Sequence, residues 1–296
     1  MQCNRYTDPK AFYRDTFPIL MRHEAQNTLP LGNVVLGNNG GEAEGWRDTR
    51  RWFMATVTGA DGGILLSAIM TPPFNITMYE TDNLASDAAV GCLCEYLVGE
   101  NIAVPGVTSE SALAERFARA YTDKKGMAYQ ACKNLRIYTL EAVNERIPPV
   151  GPIRRAEKKD LCFLPYWRRA FQDDCALGEG GFDDAVFAME REIKNGTLYL
   201  LMDGGMPVSM ASVTREVVNG RCVGMVYTPP YFREKGYASA CVAQVSETVL
   251  ESGYRYVSLF TDLANPTSNS IYQKIGYRAV CDYDEVEFVE KSGAAL

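Results

Sequence analysis

Apolar and polar positions in the second half of the chain change period repeatedly, from helical to alternating and back. Leu161 to Phe171 has helical character, and Asp183 and Asp184 open a second helix through Met189 and Ile193 that Asn195-Gly196 stops. Thr197 to Met202 is predicted as a strand closed by Asp203-Gly204-Gly205. Pro207 to Val218 and Arg221 to Thr228 read as a hairpin about Asn219-Gly220. A two-residue loop there sets Val218 opposite Arg221, Glu216 opposite Val223 and Ala211 opposite Thr228. Ala238, Val242, Val245 and Val249 place one apolar face on a helix running to Ser252, with Gly253 as its left-handed stop. Tyr256 to Thr261 is the next strand. A short helix through Tyr272 and Lys274 ends at Gly276, and Tyr277 to Val280 and Val286 to Phe288 form two closing strands. The order β-α-α-β-β-β-α-β-α-β-β describes a mixed α/β layer rather than a doubly wound parallel sheet.

Arg146-Ile147-Pro148-Pro149-Val150-Gly151-Pro152 can be neither helix interior nor central strand, so it marks the predicted boundary. The first half repeats the plan faintly. Leu65 to Met70 runs into Thr71-Pro72-Pro73, as Val226-Tyr227 runs into Thr228-Pro229-Pro230, which raises an internal duplication. After Pro73, however, there is no glycine-rich turn.

The 296-residue length suits two packed units. With 30 Lys+Arg against 37 Asp+Glu and no basic block, nucleic acid is not an expected partner. The single histidine, His23, excludes a multi-histidine zinc site and would have to carry any Ser-His-Asp or Cys-His mechanism alone. Nine cysteines without a Cys-x-x-Cys pair fit a reducing cytoplasm, with residues such as Cys241 packed as small core groups. The amino terminus lacks an apolar signal region and no run of 18 apolar residues follows, so neither export nor membrane is expected.

Arg233-Glu234-Lys235-Gly236-Tyr237-Ala238 has the form of an anion cradle. A strand ends, glycine permits a turn or a close approach, and a helix begins with its N–H groups and positive dipole end toward the loop. Such a site holds a pyrophosphate, and Arg233 and Lys235 add charge. The segment resembles the Gln/Arg-x-x-Gly-x-Gly/Ala signature of the GCN5-related N-acetyltransferase family. Pro230 supplies that family's Pro-x-x-Arg entry, and Asn265 to Tyr277 resembles its Asn-x6-Tyr-x-Lys-x-Gly-Phe/Tyr helix. The resemblance spans about residues 153–290 and departs at Glu234, where many members have glycine, and at Pro229-Pro230.

That resemblance implies an acyl-CoA acyltransferase fold in two tandem copies: a degenerate domain at 1–146, a linker at 147–152 and a catalytic domain at 153–296. It implies acetyl-CoA as cofactor, held by Val226, Tyr227, Thr228, Arg233, Glu234, Lys235, Gly236, Tyr237, Ala238 and Asn265. The reaction implied is acetyl transfer to a primary amine of a small molecule or peptide, with Tyr272 as proton donor to the sulfur. The N–H of Val226 would polarise the thioester carbonyl. A homodimer is compatible with this reading. The rival is a CoA-binding sensor or scaffold without turnover. No base is identified. Glu216 reads as an exposed structural carboxylate and Asp262 as turn chemistry, while His23, Glu24 and Asn27 stand in the other half. Trp46, Trp52 and Trp167 could line a pocket, although core packing suits each better.

Overall fold

The computed structural model describes residues 1–40, 47–81, 87–144, 147, 150–178 and 180–291. Asp8 accepts a hydrogen bond from the Lys10 amide ahead of Pro9, and this cap starts helix α1 (Pro9–Leu20) after strand β1 (Gln2–Tyr6). The first half continues with α2 (Thr28–Asn38), β2 (Phe53–Thr58), β3 (Ile64–Met70), β4 (Ile76–Glu80), α3 (Asp87–Gly99), β5 (Gly106–Glu110), α4 (Ser111–Lys125) and β6 (Ala128–Leu140). The second half contains β7 (Ile153–Arg155), α5 (Leu164–Asp174), α6 (Phe182–Asn195), β8 (Leu198–Asp203), β9 (Met206–Glu216) and β10 (Gly220–Tyr227). It closes with α7 (Tyr237–Glu251), β11 (Tyr256–Asp262), α8 (Pro266–Ile275) and β12 (Arg278–Val289).

Both halves therefore run strand, two helices, three strands, helix, strand, helix, strand. The tripeptides that suggested a duplication are not counterparts, however. Thr71-Pro72-Pro73 lies between β3 and β4, whereas Thr228-Pro229-Pro230 follows β10, whose place in the order is that of β4.

The closing segment also differs from expectation, being one strand rather than two. Cys281 to Glu285 breaks the apolar run and resembles a turn in sequence. In the structure these residues alternate: Tyr283 is buried, while Asp282 pairs with Arg136 at 2.6 Å and Asp284 accepts from Asn134 at 2.9 Å.

Two compact units are present, and neither is a continuous stretch. The first takes in Met1–Ile137, Asp262–Ala264 and the chain from Val280; the second takes in Tyr138–Thr261 and Asn265–Ala279. Ile147 and Val150 to Pro152 thus fall within the second unit, while Arg146, Pro148 and Pro149 lie outside the described residues.

In the first unit the strand order is β1-β2-β3-β4-β5-β12. Strand β12 pairs antiparallel with β5 from Tyr283↔Glu110 to Glu287↔Gly106. Gly106 permits this approach, since a Cβ there would meet the Val286 carbonyl oxygen at 2.1 Å. Val286 enters the core that Leu66, Ile76, Leu93 and Phe117 build. In the second unit the order is β7-β8-β9-β10-β11, with the end of β6 beside β11. Tyr138 and Leu140 of β6 join the core made by Leu259, Val242 and Ile275. The second half thus lends most of β12 to the first unit's core, and the first half lends the end of β6, Tyr138 to Leu140, to the second's.

Candidate active site

The site in the second unit begins with an irregular strand. The hairpin does not have the two-residue loop expected of Asn219-Gly220. Val217 turns into the core and its N–H bonds to the Gly220 carbonyl at 3.1 Å, so Val217, Val218 and Asn219 make the connection. Arg221 then faces Glu216 and binds it at 2.7 Å, Val223 faces Val213, and Tyr227 faces Met210. None of the three expected pairings holds.

Between Gly224 and Tyr227 the register shifts, and Met225 takes a left-handed φ of 49°. On the other edge, β10 pairs in parallel with β11 only over Gly220–Cys222. Val226 consequently falls outside both ladders at a point where the sheet opens. Its side chain packs against the cluster that contains Tyr272.

Beyond β10 the backbone reverses through two left-handed residues, Glu234 at φ 64° and Gly236 at φ 79°. Such a conformation turns neighbouring N–H groups toward one side. Gly236 is the N-cap of α7 and no side chain caps that helix. Among the described residues, no backbone carbonyl accepts the N–H groups from Glu234 to Ser239; Ala240 is the first to bond back, to Gly236. A Cβ on Gly236 would meet nothing within 4 Å, so open space lies before these donors. An uncapped 15-residue helix facing open space fits an anionic group such as a diphosphate.

Several side chains around this loop also make contacts within the protein. The Arg233 guanidinium binds Asp174 at 2.5 Å and the Thr228 carbonyl at 2.9 Å, which fastens the loop to the end of α5. Thr228 shares a 2.9 Å hydroxyl contact with Ser209. Tyr227 is buried and packs on Trp167. Tyr237 donates to the Asp203 carboxylate, which holds the phenol above its usual pKa. Lys235 is exposed and Ala238 half-buried. Asn265 caps α8, its Oδ1 accepting from the Ser268 amide at 3.0 Å.

Tyr272 is buried, edge-on to Tyr277 at 5.9 Å. Burial, reinforced by Cys175, pushes its phenol up to about 12, so it stays a proton donor throughout the neutral range. The carboxylates considered as bases are occupied. Glu216 also accepts from Tyr254 at 2.6 Å, and Asp262 from the Ala264 amide at 2.8 Å. His23, bonded to the Tyr79 hydroxyl at 2.8 Å, and buried Asn27, bonded to the Leu20 carbonyl at 2.9 Å, belong to the first unit, as does Glu24. Trp52 and Trp167 are core residues; Trp46 lies outside the described residues.

Sequence patterns did not reveal three contributors. Met225 forms the bulge with a residue type that rarely adopts its φ. Asp174 meets Arg233 across 59 positions. Arg168, half-buried on α5, reaches the Met225 sulfur at 3.3 Å, and burial lowers its pKa.

Glu234 is a testable departure. A non-glycine residue in the left-handed region costs roughly 1–2 kcal/mol, and its carboxylate adds negative charge beside an anion site. Glu234→Gly should raise stability by about 1 kcal/mol in urea denaturation. It should also tighten coenzyme A binding roughly three- to ten-fold by calorimetry, with the binding gain shrinking in high salt.

The fold defined by these two units is that of the GCN5-related N-acetyltransferases. Three solved structures share it over nearly the whole chain. A GNAT-family acetyltransferase from Colwellia psychrerythraea has TM-score 0.56 and 10% identity, covering 98% of this chain and 100% of its own. A Drosophila protein has TM-score 0.64 and 14% identity, covering 97% and 98%. A GCN5-related N-acetyltransferase from Sphaerobacter thermophilus has TM-score 0.59 and 13% identity, covering 98% and 96%. Within the chain, residues 210–289 match the family model of FR47-like protein, a stretch that includes β10, α7 and α8. No curated protein matches the chain. Among the described residues, no helix is long and apolar enough to cross a membrane.

Proposed function

We propose that the second unit transfers an acetyl group from acetyl-CoA to a primary amine. The observation that carries this reading is that Val226 leaves both ladders of β10 in a unit whose helix α7 starts uncapped. Acetyl-CoA, when bound, supplies the acyl group as an activated thioester. The N–H groups from Glu234 to Ser239, with Lys235, would hold its diphosphate, and the Val226 N–H would donate to the thioester carbonyl oxygen. Tyr272 would give its proton to the departing sulfur and recover one from solvent. The attacking nitrogen forms the new N–C bond, the C–S bond breaks, and water takes the ammonium proton. Glu216 and Asp262 are both engaged and are not assigned as base.

The test is thiol release from acetyl-CoA in the presence of a polyamine, an aminoglycoside and a lysine peptide. Acceptor-dependent release is expected. Tight coenzyme A binding without release on any acceptor would leave the sensor or scaffold reading in its place.

A further inference from the structure

The first unit has a cleft of its own at the same point of the element order. The ladder between β4 and β5 pairs in parallel only at Ile76↔Val107, and beyond it the Ser109 hydroxyl takes over by accepting from the Met78 N–H at 2.8 Å; the β10–β11 ladder likewise stops after Cys222. A cavity of about 370 Å³ opens there, within the size range of small-molecule sites. His23, Met78, Tyr79, Glu80, Glu110 and Leu113 line it.

Comparison of α4 with α8 shows what has changed. Each follows the fifth strand of its unit and is capped by the residue before it: Glu110 accepts from the Leu113 amide at 3.2 Å, and Asn265 from the Ser268 amide at 3.0 Å. Seven residues beyond the cap stands Tyr272 in α8, and seven beyond Glu110 stands Phe117 in α4. The first cleft has therefore exchanged an amide for a carboxylate and a phenol for a phenyl ring. It has no proton donor at the tyrosine's place, and its negative charge opposes a phosphate.

The other acid in the lining is neutralised, since Glu80 receives two 2.6 Å bonds from Arg116. Among the described residues no cation forms an ion pair with Glu110. Its charge reaches into the cavity: burial and the Glu110 carboxylate together push the lining thiol of Cys281 up to about 12, so that group is neutral. The 2.8 Å pair of His23 Nδ1 and the Tyr79 hydroxyl adds polar groups to a lining that includes the buried side chains of Met78 and Leu113.

We propose that this cavity binds a small organic ammonium ion, with its charge against Glu110 and its alkyl part against Met78 and Leu113. The site needs no acyl-CoA and stands whether or not the second unit transfers acyl groups.

Methyl-labelled methionine NMR on the full chain, titrated with 1,5-diaminopentane, tests it. The Met78 signal should shift and saturate, 1,5-pentanediol should leave it unmoved, and Glu110→Gln, which keeps an oxygen for the helix cap, should weaken binding at least ten-fold. A response confined to Met225, an equal response to the diol, or unchanged affinity in Glu110→Gln overturns the proposal. If Glu110→Gln does not fold, Ala112→Trp, at an exposed lining position, should abolish the Met78 response. Persistence of the response in that variant overturns it equally.

Discussion

Gly236→Val is expected to weaken coenzyme A binding by two orders of magnitude or more while the chain still folds. The Cβ at this position meets no atom of the protein within 4 Å, so the substitution causes no internal clash. It instead fills the space before the uncapped amides of α7, where a diphosphate must come within hydrogen-bond distance. The φ of 79° makes any side chain unfavourable there, at roughly 1–2 kcal/mol, which urea denaturation will register as a modest loss. Calorimetric titration with coenzyme A separates the two effects. Unchanged affinity in a folded variant would mean that the start of α7 does not hold the cofactor.

Tyr272→Phe should lower kcat by about 10²- to 10³-fold, in the range of a lost general acid, with little change in the KM for acetyl-CoA. The phenyl ring preserves the edge contact with Tyr277, so a structural role alone predicts little effect. The pH profile offers a second reading. Tyr272 is held at about 12, so the rate should climb as the acceptor amine deprotonates, without an alkaline decline from this group below about pH 11. The same raised value has a stability consequence. The folded chain favours the neutral phenol, so this contribution is complete below the unfolded value of about 10 and fades as pH rises toward 12. A rate unaffected by the substitution would assign the sulfur's proton to another donor.

Local signals were legible wherever one residue's backbone needs decided the structure. Gly196, Gly253 and Gly276 stop helices as expected, and the loop from Arg233 to Gly236 leads into α7. The start of α8 was legible too, although the asparagine read as a cofactor contact serves as its cap. What escaped depends on partners far along the chain. The hairpin register failed because burying Val217 outweighed the preference of Asn-Gly for a tight turn. The split closing strand failed because the polar run at Asp282 and Asp284 is answered by Arg136 and Asn134, about 150 residues earlier, as separations of 146 and 150 positions show. The duplication was sensed through a tripeptide that proves to be out of step, while the repeated order of elements could be seen only once β4 was placed after Pro73.

The loan of a final strand between halves bears on how this chain emerges from the ribosome. Domains generally form in order as they are synthesised. Here the amino-terminal core awaits Val286 and Phe288, and β5 keeps an unpaired edge until Tyr283–Glu287 has been made. The nascent first half must therefore wait, half-closed, for β12 to be made. Cutting between the halves at the proline-rich segment would take β12 from the first core and Tyr138 and Leu140 from the second.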